Sequence, residues 1–150
     1  MNIQVRYFSK LGHTKDIAEA IAQALEVEAV SIVDEKEFPD TDVLFLGGAP
    51  YANVMDDKLR QYAKNLDPNK VKRVVLFTTS NWSRRTVRSL RKILTEKGIE
   101  VEKEYFYAHM LNIKNRIPLA KEFAKRMIEK RFKTSTVSLK GSRFILPFFP

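Results

Sequence analysis

Ser9-Lys10-Leu11-Gly12-His13-Thr14 is a short polar stretch that separates an apolar run, Ile3–Phe8, from an amphipathic helical pattern that begins at Thr14. A strand, a small loop and a helix in this order can hold a phosphate, because the first turn of a helix has unsatisfied N–H groups and a positive dipole end. Gly12 allows close backbone approach or a positive φ, and Thr14 is the expected N-cap. The same junction also serves as a plain connection, so this stretch alone leaves both interpretations open.

The composition is that of an ordinary single domain. The chain has 150 residues, of which 44% are hydrophobic and 30% charged, as expected for one folded domain. It has no cysteine, so disulfides and thiolate metal sites are impossible. Its 2 histidines are His13 and His109, too few for a histidine-rich metal site, so we expect no metal. We find neither a secretory leader nor an apolar run near the ~20 residues of a membrane helix, so we expect a cytoplasmic protein with no membrane partner.

Charge is unevenly distributed along the chain. Residues 1–69 carry 7 Lys+Arg against 12 Asp+Glu, whereas residues 70–150 carry 20 against 6. A basic half attracts nucleic acid, an acidic protein or an anionic ligand. Because no nucleic-acid motif is present and aromatic residues do not alternate with the basic ones, we expect no specific nucleic-acid partner.

Strand and helix patterns alternate. Buried strands are predicted over Ile3–Phe8, Val27–Val33, Val43–Gly47, Val74–Phe77 and Val101–Phe106. Helices are predicted over Thr14–Leu25, Asp56–Asn65, Thr86–Lys97 and Pro118–Phe132, with Pro118 in a first turn and Leu119, Phe123, Met127 and Ile128 on the last apolar stripe. The alternation predicts an α/β fold with an open, doubly wound, five-stranded parallel sheet. The link from residue 33 to residue 41 is too short and acidic to hold much of a helix.

In such a sheet, ligands bind outside the carboxyl ends of the strands. This rule predicts that the loops 9–14, 48–55 and 78–84 meet. These loops, read as SKLGHT, GGAPYANV and TTSNWS in sequence order, resemble the short-chain flavodoxin family over residues 1–132. The resemblance implies strand order 2-1-3-4-5, an FMN cofactor and an electron-transfer function.

The family's phosphate loop usually reads Ser/Thr-x-Thr-Gly-x-Thr, which Ser9, Gly12 and Thr14 match. Leu11 departs from it by replacing a hydroxyl residue that normally binds the FMN phosphate, a loss of about 1 kcal/mol. The resemblance assigns the phosphate to Ser9, Lys10, Leu11, Gly12, His13 and Thr14, and the flavin ring to Pro50, Tyr51, Ala52, Asn53, Thr79, Ser80, Asn81 and Trp82. Tyr51 and Trp82 are the residues expected to stack on the ring, and no catalytic side chain is expected.

A second departure concerns charge, because flavodoxins are typically acidic around the flavin whereas Arg84 and Arg85 follow Trp82 closely here. If these guanidinium groups face the ring, they should stabilise its reduced, anionic form and raise its potential. If they face solvent, they serve docking. We therefore expect a redox partner protein with an acidic docking face.

Two other functions stay open. One is a flavin-dependent reductase of the quinone or nicotinamide type, with loops 107–117 and 133–150 beside its substrate. The other is a flavin-free interaction scaffold, since fold does not fix function. Residues 133–150 form a separate C-terminal segment, either an arm that packs on the body or on a second subunit of a homodimer, or a loose tail.

Overall fold

The computed structural model describes residues 1–51 and 54–141, with side chains described as far as residue 130. In chain order the elements are β1 (Ile3–Tyr7), α1 (His13–Leu25), β2 (Ala29–Ser31), β3 (Thr41–Gly48), β4 (Pro50–Tyr51), β5 (Val54–Met55), α2 (Asp57–Asn65), β6 (Val71–Ser80), α3 (Arg85–Glu96), β7 (Glu100–Val101), β8 (Phe106–His109) and α4 (Ile113–Gly141). Among the described helices, none has the length and hydropathy required to cross a membrane.

The main sheet is parallel, with the strand order β2-β1-β3-β6-β7 and with β8 also paired to β6. β6 is therefore the fourth strand, and β7 and β8 share the fifth position. This confirms the predicted parallel sheet of order 2-1-3-4-5. Tyr7 is in register with Gly47, and Gly47 with Phe77, so β1, β3 and β6 end near the same edge.

Helices cover both faces of the sheet, because successive side chains of a strand point to opposite sides. α1 and α4 pack on one face, and α2 and α3 pack on the other. The strand residues buried on the first face include Val5, Phe45 and Phe77, and those on the second include Leu44, Leu46 and Leu76. Burial on both sides is what the continuous apolar strands predict.

The last strand differs from its predicted range, Val101–Phe106. The structure interrupts it between β7 and β8, which leaves four residues of this strand, 102–105, opposite two of β6. Inside this bulge, the carboxylate of Glu102 forms an ion pair with the guanidinium of Arg73, which is 1% exposed. Because a buried charge requires a partner, the bulge places a carboxylate where the sheet needs one.

The last helix also departs from prediction. α4 begins at Ile113, so Pro118 lies in the second turn of the helix rather than in its first. Proline has no N–H group, so the helix lacks one backbone hydrogen bond near its start. Leu119, predicted for the apolar stripe, is exposed, and Ala120 is buried instead. The helix continues to Gly141, and residues 142–150 lie outside the described residues. The boundary at residue 132 and the role of the tail in a dimer stay predictions.

Close packing at the end of β3 generates a first prediction. A Cβ atom at Gly47 would overlap the ring of buried Phe77, whereas one at Gly48 would overlap a terminal methyl group of Leu59. We expect Gly47→Ala to lower the free energy of unfolding by about 1–3 kcal/mol, since a buried ring cannot move aside without repacking. Gly48→Ala is the matched control and should cost less, because it overlaps a single methyl group at the end of the buried Leu59 side chain rather than one edge of a rigid ring. Equal losses in urea denaturation would contradict this account.

Candidate functional site

A pocket of about 270 Å³ lies at the carboxyl edge of β1, β3 and β6. Its lining includes the predicted residues Ser9, Leu11, His13, Thr14, Pro50, Tyr51, Thr79, Ser80 and Asn81. Lys10, Gly12 and Trp82 belong to the same loops without lining the pocket, and Ala52 and Asn53 lie outside the described residues. The structure therefore brings the three predicted loops together, as the parallel order of their strands requires.

The first loop enters α1 through Gly12, which is the N-cap and has a φ of 96°. The prediction of Thr14 as the N-cap is therefore wrong, because the helix begins one residue earlier, at His13. The hydroxyl of Thr14 is instead buried and lies 2.7 Å from the hydroxyl of Thr79 on β6. The hydroxyl of Ser9 accepts a hydrogen bond from the Gly12 N–H at 2.9 Å. Both hydroxyls thus hold the loop in place.

The start of α1 offers several backbone donors. Within residues 1–51 and 54–141, no acceptor satisfies the N–H groups of Leu11, His13, Thr14 or Lys15. Such N–H groups, together with the positive end of the helix dipole, favour an anion. The groups of this loop that could hold an anion therefore belong to its backbone, and Leu11, although it lacks a hydroxyl, keeps its N–H group.

Lys10 is held by the second loop. Its N–H donates to the Tyr51 hydroxyl at 2.7 Å, and its ammonium lies 3.1 Å from a carboxylate oxygen of Asp56. The same ammonium lies 4.6 Å from the centroid of the Tyr51 ring. Burial of Asp56 alone would raise its pKa, but the N–H of Lys58 and the ammonium of Lys10 more than offset burial and hold the pKa below its usual range.

The third loop presents Trp82 at the surface. Its side chain is 74% exposed, and its φ of 78° lies in the left-handed region. The indole meets the ring of His109 edge-on, with a centroid distance of 4.7 Å. Asn81 is tied to the same histidine, since its side-chain oxygen lies 2.9 Å from His109 Nε2.

Neither arginine after Trp82 lines the pocket. The guanidinium of Arg84 lies 3.5 Å from the centroid of the Tyr107 ring, and Arg85 is exposed on a separate groove beside Arg88 and Val54. Neither guanidinium is therefore placed against the pocket, and a docking role for these arginines stays a prediction.

Sequence reasoning missed Ala49, Ser83 and Met110, which also line the pocket. Met110 directly follows β8, whose carboxyl end meets the same sheet edge through its pairing with β6. The rule that placed the first three loops therefore applies to this fourth loop as well. His109 is half-buried and contacts two residues of the third loop, Asn81 and Trp82.

The open parallel sheet and the pocket at its carboxyl edge define a doubly wound α/β protein with a cleft at the edge where such sheets bind ligands. The family model described as a flavodoxin domain matches residues 4–134. The chain therefore belongs to the flavodoxin family, and membership implies a flavin cofactor and an electron-transfer role. No curated protein gives a significant match to the chain.

Solved structures support the same fold. Oxidised Flavodoxin 2 from Bacillus cereus is 20% identical, with 87% of this chain and 99% of that chain covered and a TM-score of 0.67. A flavodoxin from the domain Archaea is also 20% identical, with 87% and 98% covered and a TM-score of 0.67. A short-chain flavodoxin associated with a bacterial microcompartment is 14% identical, with 87% and 99% covered and a TM-score of 0.70.

The role of Asp56 generates a second prediction. Its carboxylate caps α2 by accepting the Lys58 N–H at 2.8 Å, besides pairing with Lys10. Asp56→Ala should lower the free energy of unfolding by about 1 kcal/mol at pH 7, whereas Asp56→Asn retains the cap and loses only the charge. Because the folded pKa is depressed, the stabilisation is present above the usual value of 3.8 and is lost as pH falls through the lower folded pKa.

Denaturation of the wild type and Asp56→Asn at pH 7 and at pH 3 measures this effect. The wild type should lose more stability than the variant over that interval. Parallel losses in the two proteins would show that the Asp56 carboxylate makes no net contribution through its charge.

Proposed function

We propose that the protein is an FMN-binding electron carrier that holds the phosphate in loop 9–14 and the flavin ring between the loops that follow β3 and β6. The observation that carries this proposal is the set of N–H groups at the start of α1 that find no acceptor in the described part of the chain, beside a pocket that Tyr51 also lines. A flavin supplies the redox chemistry when bound, so the described residues need only bind it, orient it and limit its contact with water.

The donor set suits a phosphate monoester. A phosphate dianion needs several hydrogen bonds, and the N–H groups of residues 11 and 13–15 lie on one short segment of backbone. Leu11 lacks the hydroxyl expected at its position, but it keeps its N–H group. We infer that the loop binds the phosphate through its backbone, with a lower affinity than a loop that retains the hydroxyl.

Aromatic side chains suit the ring. Tyr51 lines the pocket, and Trp82 lies exposed in the neighbouring loop. A planar apolar ligand between them would cover part of the indole, which otherwise remains in water. The ammonium of Lys10 lies against the Tyr51 ring, and its ion pair with Asp56 offsets its charge at this end of the site.

A titration with FMN tests the proposal. Trp82 is the single tryptophan of the sequence, so its fluorescence should be quenched as FMN binds, while the visible flavin bands shift. Riboflavin, which lacks the phosphate, should bind at least about tenfold more weakly, since the anion contacts are absent. No quenching and no spectral change at micromolar FMN would refute the proposal and leave the flavin-free scaffold.

We also propose that the redox partner presents an acidic face, because Arg85 and Arg88 are exposed on α3 just beyond the third loop. With FMN bound and reduced, the protein should transfer electrons to the anionic oxidant ferricyanide with a rate constant that Arg85→Glu lowers severalfold at low salt. Lys125→Glu makes the same change in charge at an exposed position on α4, and it should lower this rate constant less.

Added salt should reduce the difference between these two variants, since exposed charges are screened over about 10 Å at 0.1 M ionic strength. Identical rates for the two variants at low salt would contradict a docking role for the start of α3.

A further inference from the structure

Tyr107, on β8, contacts two residues of the third loop, Ser80 and Trp82. Its hydroxyl accepts a hydrogen bond from the Trp82 N–H at 2.8 Å and donates one to the Ser80 carbonyl at 3.1 Å. A single hydroxyl thereby joins the end of β6 to the residue at the centre of the loop. Tyr107 was not among the residues that the sequence assigned to the site.

Arg84 completes the arrangement from the other side. Its Nη1 donates to the Trp82 carbonyl at 3.2 Å, its Nε donates to the Tyr105 hydroxyl at 3.0 Å, and its guanidinium lies 3.5 Å from the centroid of the Tyr107 ring. A planar guanidinium can stack on a ring and donate in its own plane at the same time. Both backbone polar groups of Trp82 are therefore engaged.

These contacts matter because little else fixes Trp82. A positive φ is unfavourable for a bulky residue and persists only where the surroundings determine it. The Trp82 side chain is 74% exposed, so burial cannot supply that constraint. Within the described residues, the backbone contacts to Tyr107 and Arg84 and the edge-on contact with His109 are the interactions that hold it.

We propose that Tyr107 and Arg84 are positioning residues that hold Trp82 in its left-handed conformation and so set the indole in place for the flavin ring. This inference rests on the proposed FMN function. Because the N–H of Trp82 is already bonded to Tyr107, the group that Trp82 presents to the cofactor is chiefly its exposed ring. The ordering of the loop is completed before the ligand arrives, which reduces the entropic cost of binding.

Hydrogen exchange of the Trp82 amide tests the first half of the proposal without any flavin. A protein labelled with [15N]tryptophan gives one backbone amide signal, since the sequence contains 1 tryptophan. Tyr107→Phe keeps the ring under Arg84 but removes the hydroxyl, so we expect exchange at Trp82 to accelerate by about tenfold or more. Tyr105→Phe removes a hydroxyl that bonds Arg84 and is not bonded to Trp82, and it should leave this rate nearly unchanged.

The affinity for FMN tests the second half. Tyr107→Phe should raise the Kd by about tenfold and Tyr105→Phe by less than about threefold, with unchanged unfolding midpoints showing that both variants fold. Equal exchange rates in the wild type and Tyr107→Phe would overturn the proposal, as would an unchanged FMN Kd. A protected Trp82 amide in a wild type that binds no FMN would separate the two claims: the clamp would stand, whereas the FMN function and the positioning role would both fall.

Discussion

The parallel alignment of β1, β3 and β6 is the constraint on which the site depends. Parallel strands send their carboxyl ends to the same edge, so the loops that follow must meet there whatever their sequences. The sheet can adopt this arrangement because its strands are apolar on both faces and are covered by helices on each side. The core therefore determines where the pocket lies, and the loops determine what it binds.

Hydrogen bonds between loops give the pocket its detailed form. The hydroxyls of Thr14 and Thr79 tie the first loop to β6, and Tyr51 ties the second loop to the N–H of Lys10. Tyr107 then ties the third loop to the last strand. Each contact joins residues far apart in sequence, so the site forms only when the sheet is complete. A rigid scaffold of this kind suits an electron carrier, because binding and electron transfer then require little rearrangement.

Much of the fold could be predicted from the sequence. The apolar strands, the amphipathic helices and the three loops follow from local patterns, and the acidic link between β2 and β3 contains no helix, as expected. The break in the last strand could not be predicted, because the ion pair between buried Arg73 and the half-buried Glu102 inside the bulge forms only in the tertiary structure. The early start of α4 could not be predicted, because proline is typical of a first helical turn and Pro118 lies five residues after the helix begins.

For the candidate site, the sequence predicted which loops meet but not the contacts of each side chain. Loop positions follow from topology, whereas individual side chains depend on partners that only tertiary structure reveals. The hydroxyl of Thr14 contacts Thr79 rather than capping α1. Tyr107 lies on β8 and Met110 follows it, and the sequence around this strand contains no motif that would have assigned either residue to the site. Family membership implies a flavin. Under the proposed function, the backbone donors at α1 would bind its phosphate without the hydroxyl that Leu11 replaces.

Phosphorus NMR of FMN in the presence of the protein tests the central claim most directly. Free FMN titrates with a second phosphate pKa of about 6. If the N–H groups at the start of α1 hold the dianion, the bound resonance should shift and lose its pH dependence between about pH 5 and pH 8. A resonance that keeps the position and titration of free FMN at saturating protein would contradict the account, because the loop would then not bind the phosphate.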